Sequence, residues 1–186
     1  SLITNFFLKK TQFWENEKWK KKHHRVQSQI YHHDLKPNIE AYEIWGGKLK
    51  RKIITNSLGF RDSAKKKINK QTDKTRILLI GDSFIEGSGY DYEYTLSGLL
   101  ANTLGNRYEV LNSAVESYSP SIYYKKTEFY LSQGYDFDKA LIFLDLSDIY
   151  DELFINFDKE ENIISEVPKT KLTLVLKIKN KIYSSG

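Results

Sequence analysis

The chain has 186 residues, of which 40% are hydrophobic and 14% aromatic. This is enough for one domain with a hydrophobic core, and it excludes a wholly disordered chain. The absence of cysteine excludes disulfides and cysteine-ligated metal sites. The net charge of +5 is concentrated in two lysine-rich stretches, 18–25 and 48–74. Because no nucleic-acid-binding signature accompanies them, we expect a solvated basic surface, with nucleic-acid binding as the weaker alternative.

Residues 1–74 predict an N-terminal extension that is partly helical and partly irregular. Aromatic residues recur among charged ones over residues 1–30, which favours a helix there. Turn-forming residues are frequent over 31–62, so we expect irregular structure with short strands, followed by a polar linker over 63–74. The apolar start of the extension, residues 1–8, is either the end of a membrane helix or the start of an amphipathic one.

Residues 75–186 carry the pattern of an α/β domain. Three short apolar runs predict strands buried on both faces: Ile77–Ile80, Tyr108–Leu111 and Ala140–Leu144. Two helices are expected between them, each followed by a glycine: Thr95–Leu104 and Ser121–Gln133. Strands and helices that alternate with short connections indicate a parallel sheet with crossover helices.

Functional groups in such sheets collect at the carboxyl ends of the strands. The three segments at those ends are Gly81-Asp82-Ser83, Asn112–Ser117 and Asp145–Asp151. In the first of them, Ser83 lies at a strand-to-helix turn, which presents its hydroxyl at the edge of the sheet. Backbone N–H groups at such a turn can stabilise a developing oxyanion. The spacing therefore indicates a candidate nucleophile.

The first strand end, Gly81-Asp82-Ser83 with Gly87 four residues later, resembles block I of the GDSL/SGNH serine hydrolases. The second strand end resembles block II, in which an Asn begins the turn and a Gly follows five residues later. The Asn is Asn112 here, and Ser117 stands in place of the Gly. The third strand end, Asp145–Asp148, resembles the Gly-x-Asn-Asp of block III.

The resemblance implies a flavodoxin-like three-layer sandwich with a parallel sheet, the SGNH fold. It implies that Ser83 is the nucleophile and that the oxyanion hole is formed by the N–H groups of Ser83 and Ser117 with the hydroxyl of Ser147. Ser147 replaces the asparagine of block III. The supporting residues by this resemblance are Gly81, Asp82, Asn112, Asp145 and Asp148. No metal and no cofactor are expected.

All four histidines precede the candidate nucleophile: His23, His24, His32 and His33. The family closes its triad with Asp-x-x-His near the C-terminus, and no histidine follows Ser83. We therefore expect a domain that is truncated at its C-terminus, with the catalytic histidine beyond Gly186; the alternative is a catalytically inactive relative. The adjacent histidines lack a clear third ligand, which predicts polar surface rather than a metal site.

The expected function is serine-dependent ester hydrolysis or O-acyl transfer on an acylated carbohydrate or lipid, without nucleic acid as a partner. With Thr55–Asp62 added, the pattern is similar to bacterial SGNH-like proteins of cell-envelope or polysaccharide modification. This favours an extracytoplasmic location with a membrane anchor upstream of Ser1. The alternative function is a non-catalytic glycan-binding or scaffold module of the cell envelope.

Overall fold

The protein is seen in a computed structural model that describes residues 23–45, 49–153 and 155–164. Its first part consists of two antiparallel hairpins. β1 (Arg25–Ser28) pairs with β2 (His32–Leu35), and β3 (Glu40–Trp45) pairs with β4 (Leu49–Ile54). The prediction of helix as far as residue 30 is wrong at β1, because pairing with β2 satisfies its backbone groups. The remainder of that prediction, residues 1–22, lies outside the described residues.

A three-stranded parallel sheet forms the centre of the molecule. β5 (Thr75–Ile80) lies between β6 (Tyr108–Asn112) and β7 (Lys139–Ile142), and both neighbours run parallel to it. The register aligns Leu79 with Asn112 and Ile80 with Ile142, so the strands end at the same edge. The predicted mixed α/β architecture with a parallel sheet is confirmed, and it is compatible with a Rossmann-like or flavodoxin-like layout.

Four helices accompany the sheet in the described part of the chain: α1 (Ser83–Glu86), α2 (Leu96–Leu104), α3 (Pro120–Ser132) and α4 (Leu146–Glu152). Thr95 caps α2 by accepting a hydrogen bond from the N–H of Gly98 at 3.2 Å. Pro120 begins α3 at a position where a missing N–H costs nothing. The two helices that hydrophobic spacing predicts, α2 and α3, are thereby confirmed.

The two faces of β5 pack into different hydrophobic clusters, because successive side chains of a strand point to opposite sides. Ile77 and Leu79 pack towards α2. Leu78 and Ile80 pack towards α3 and towards the N-terminal part of the chain, which contributes Leu35, Leu58, Phe60 and Ile68 to the same cluster. The N-terminal hairpin residues therefore share a core with the parallel sheet.

β7 differs from the buried strand that its apolar sequence predicts. Leu141 and Ile142 are 38% and 60% exposed, and all four residues of the strand are exposed. Within the described residues β7 pairs with β5 alone, so it is an edge strand. An apolar run favours burial, but burial also requires an element that covers the strand, and the described residues supply none.

A short hairpin of β8 (Asn156–Phe157) and β9 (Ile163–Ile164) completes the described chain. It joins the N-terminal part through a hydrogen bond from the N–H of Ile163 to the carbonyl of Ile30 at 2.9 Å. Across the described ranges, no helix combines the length and the apolar character needed to cross a membrane. The anchor expected upstream of Ser1 lies outside them and stays a prediction.

Candidate functional site at the carboxyl edge of the sheet

Ser83 lies at the turn from β5 into α1. Asp82 caps this turn by accepting a hydrogen bond from the N–H of Phe84 at 2.9 Å, and the hydroxyl of Ser83 lies 3.4 Å from Asp82 Oδ2. Gly81 is required here, because a Cβ at that position would lie 2.6 Å from Ile85 Cγ1. The half-buried hydroxyl is thus held by a tight backbone next to an acidic side chain.

The segment after β6 packs directly on this turn. Asn112 donates from Nδ2 to the carbonyl of Ile85 at 2.7 Å, and the N–H of Glu116 donates to Glu86 Oε2 at 2.5 Å. Ser117, the next residue, has a φ of 65°. This left-handed conformation is one that glycine adopts most easily. Ser117 therefore adopts the backbone conformation that suits the block II glycine.

The segment after β7 forms the third side of the site. Asp145 Oδ1 accepts hydrogen bonds from both the N–H and the hydroxyl of Ser147, at 2.5 and 2.6 Å. Asp148 accepts from the N–H of Asp145 at 2.9 Å and from the hydroxyl of Tyr123 at 3.0 Å. The hydroxyl of Ser147, which the resemblance assigns to the oxyanion hole, is engaged with Asp145.

Three carboxylates meet at this edge. Asp82, Asp145 and Asp148 have oxygen atoms that all lie within 4.8 Å of one another. Burial raises the pKa of Asp82 and of Asp148, and their acidic neighbours raise it further, against the hydrogen bonds that they accept. Such a group can share a proton, and oxygen ligands at this spacing also suit a hard cation.

The adjacent histidines His32 and His33 bond to each other and to the segment after β6. His33 pairs through Nδ1 with His32 Nδ1 at 2.7 Å and through Nε2 with the carbonyl of Glu116 at 2.8 Å. His32 is 4% exposed and His33 is 1% exposed, so the prediction that this pair is polar surface is wrong. Burial lowers the pKa of His33 well below its usual range. Both ring nitrogens of His33 are engaged with other groups, and the hydroxyl of Ser83 bonds to Asp82, so His33 is not its base in this arrangement.

Two arginines support α1, and reasoning from the sequence missed both. Arg61 donates to the carbonyls of Glu86 and Gly87 at 2.8 and 2.5 Å, which satisfies the end of α1. Arg25 contacts both carboxylate oxygens of Glu86. The segment Thr55–Asp62, which the resemblance singles out, contains Arg61, but no local pattern marks Arg25.

Comparison with known proteins gives no match: no protein-family profile, curated protein or solved structure matches the chain. The resemblance to the GDSL/SGNH hydrolases therefore depends on the residues of the three strand ends. The structure brings Asp82, Asp145 and Asp148 together, and it packs the segment that carries Ser117 on the turn that carries Ser83.

Proposed function

We propose that this chain supplies the nucleophile and oxyanion-binding backbone of a serine esterase or O-acyltransferase of the GDSL/SGNH type. The observation that carries the proposal is the packing of the end of β6 and of the segment after it on α1, the helix that begins at Ser83, through Asn112 and Glu116. Ser117, whose backbone is left-handed, directly follows Glu116 in the chain. An N–H from each segment is what a tetrahedral oxyanion requires.

In the proposed reaction, Ser83 Oγ attacks the acyl carbonyl carbon, and the electron pair of the C=O bond moves to the oxygen. The N–H groups of Ser83 and Ser117 bind that oxyanion. Collapse breaks the ester C–O bond, and the departing alkoxide takes the proton that the base removed from Ser83. Attack on the acyl-serine by water gives hydrolysis, and attack by a second hydroxyl gives transfer. In this proposal the base is a histidine other than the four of this sequence, which all precede Ser83.

An apolar cavity beside the acidic cluster supports an acylated substrate. It has a volume of about 360 Å³, and Asp145 and Asp148 lie on its wall. The other lining residues are mostly apolar: Pro120, Leu144, Leu146 and Ile149. Pockets of this kind bind an apolar group and orient it through a few polar ones. In this proposal the cavity takes the acyl chain, and the sugar or lipid hydroxyl faces solvent.

A non-catalytic glycan-binding module is the second candidate. Two observations favour it: the hydroxyl of Ser147 is engaged with Asp145, and within the described residues the hydroxyl of Ser83 bonds to Asp82 and to no histidine. Such a module needs the same fold and the same edge but no proton acceptor.

The test is turnover of p-nitrophenyl acetate by the product of the complete gene. We expect Ser83→Ala to lower kcat/KM by at least about a thousandfold, because the covalent step is lost. Ser88→Ala is the matched control, since the Ser88 hydroxyl is buried just beyond the C-terminal end of α1 and has no hydrogen-bond partner among the described residues. Full activity in Ser83→Ala would refute the assignment. An inactive wild type that binds acetylated oligosaccharides would favour the binding module.

A further inference from the structure

We propose that Glu86 is a positioning residue that sets the distance between Ser83 and the N–H of Ser117, and that Arg25 from the N-terminal hairpin holds Glu86 in place. The inference rests on the proposed function, because the distance matters for catalysis only if these two segments bind an oxyanion. Neither Glu86 nor Arg25 touches the reacting atoms.

Glu86 joins the two segments through one side chain. It lies in α1, three residues after Ser83, and its carboxylate is fully buried. Oε2 accepts the N–H of Glu116 at 2.5 Å, and Glu116 directly precedes Ser117. A shift of this carboxylate therefore moves the backbone next to Ser117 relative to the turn that bears Ser83.

Arg25 fixes the carboxylate from the opposite side. Its Nη2 lies 3.0 and 3.2 Å from the two oxygens of Glu86 and 3.0 Å from Glu116 Oε2. The guanidinium is 3% exposed. Charge-assisted hydrogen bonds in a buried setting are short and directional, so they hold geometry better than neutral ones. The same cation thus contacts a side chain from each of the two segments.

Residues that precede β5 also hold the backbone of both segments. Arg61 binds the carbonyls of Glu86 and Gly87, and His33 binds the carbonyl of Glu116 at 2.8 Å. The hydroxyl of Tyr118 in turn donates to the carbonyl of His33 at 2.6 Å. The N-terminal residues therefore contact α1 and the segment after β6 at several points, and the Glu86 side chain bonds both to Arg25 and to the N–H of Glu116.

A neutral substitute of the same shape tests this role. Glu86→Gln preserves the side-chain volume but replaces one acceptor oxygen with an NH2 group, which is a donor. The side chain then cannot accept all the hydrogen bonds that Arg25 and the N–H of Glu116 donate to Glu86. Oxyanion donors act only when they are correctly placed, and a misplacement of about 1 Å can reduce the rate by about a hundredfold.

The protein offers a matched control at the opposite end of the same strands. Glu109 accepts a hydrogen bond from the buried Arg76 at 2.6 Å, near the amino ends of β5 and β6. Glu109→Gln makes the same carboxylate-to-amide change beside a buried arginine but lies away from Ser83. A purely structural role for Glu86 predicts equal effects of the two changes on catalysis.

The experiment measures kcat and KM for an acetyl ester with the complete gene product at a temperature at which all variants are folded. We expect Glu86→Gln to lower kcat by about ten- to hundredfold with KM nearly unchanged. We expect Glu109→Gln to leave both constants close to those of the wild type. Arg25→Lys, which keeps the charge but has fewer donors, should give an intermediate kcat. Equal kcat in the Glu86 and Glu109 variants would overturn the proposal.

Amide hydrogen exchange at Glu116 and Ser117 separates this inference from the function on which it rests. We expect both amides to exchange faster in Glu86→Gln than in the wild type, and not in Glu109→Gln, whether or not the protein is active. An inactive wild type with this exchange pattern would refute the proposed function but support the role of Glu86 in positioning the backbone. Unchanged exchange in Glu86→Gln would refute the positioning role of Glu86.

Discussion

Two groups of acidic side chains lie at the carboxyl edge of the sheet, and their surroundings are opposite in charge. Glu86 and Glu116 share a buried arginine, Arg25. Asp82, Asp145 and Asp148 lie within 4.8 Å of one another, and among the described residues no lysine or arginine forms an ion pair with them. In the first group a buried arginine bonds to both carboxylates, whereas the carboxylates of the second group accept hydrogen bonds from neutral donors.

The difference assigns separate roles to the two groups: the first holds the backbone in place, and the second is suited to proton exchange. A compensated buried pair gives fixed geometry, which is what a backbone turn needs. Burial raises the pKa of Asp82 and of Asp148 next to the candidate nucleophile, and perturbed groups of this kind concentrate at functional sites. Burial also raises the pKa of Glu86, but there the charge of Arg25 opposes the shift. In this account Glu86 and Arg25 hold the site, while Asp82 and Asp148 lie where protons can be exchanged with a substrate or a base.

Removal of the shared cation should have the largest effect on stability. Arg25→Met removes the cation from the fully buried Glu86 and the half-buried Glu116, and we expect the free energy of unfolding to fall by about 3–5 kcal/mol. Urea denaturation measures it. Arg51→Met is the control, because the ion pair of Arg51 with Asp91 is 35% and 32% exposed and should contribute about 1 kcal/mol or less. Similar losses in both variants would erase the distinction between the two acidic groups.

Removal of one negative charge from the second group should raise the stability of the protein instead of lowering it. The pKa of Asp148 is raised in the fold, so its contribution to stability is full at pH values below its unfolded pKa and is lost as the pH rises through its folded pKa. We expect Asp148→Asn to raise the Tm at pH 7 by about 2–4 °C, equivalent to about 1 kcal/mol, and the gain to shrink towards pH 4. Thermal unfolding at several pH values measures the change.

Asp73→Asn is the control for this effect, because Asp73 is exposed and lies outside the acidic cluster. Its removal should leave the Tm unchanged at both pH values. A loss of stability in Asp148→Asn at pH 7 would mean that the hydrogen bonds from Tyr123 and Asp145 outweigh the repulsion among the carboxylates.

The smallest effect is expected at Ser147. Its hydroxyl donates to Asp145 at 2.6 Å, so Ser147→Ala should lower the free energy of unfolding by about 0.5–1.5 kcal/mol. Because this hydroxyl serves Asp145, we expect kcat for an acetyl ester to change little. A fall of about a hundredfold in kcat would instead indicate that the Ser147 hydroxyl is an oxyanion-hole donor, as the resemblance implies.

Local patterns predicted the residues at the three strand ends, because an apolar run followed by Gly-Asp-Ser or Asn marks both a strand and its carboxyl end. They also predicted α2 and α3 from helical spacing. The supporting contacts carry no such signature: Arg25 and Glu86 are 61 positions apart and meet only because β1 packs on the turn after β5. Burial of His33 and exposure of β7 depend equally on which elements cover them, which periodicity does not encode.

The most direct test of the central claim is covalent labelling of the complete gene product with a fluorophosphonate, followed by tandem mass spectrometry of the adduct. A fluorophosphonate reacts with a serine only when that serine is activated as a nucleophile. The account predicts one adduct, on Ser83, that persists in Ser88→Ala and disappears in Ser83→Ala. An adduct on another serine, or none in a folded wild type, would contradict the assignment of Ser83 as the nucleophile.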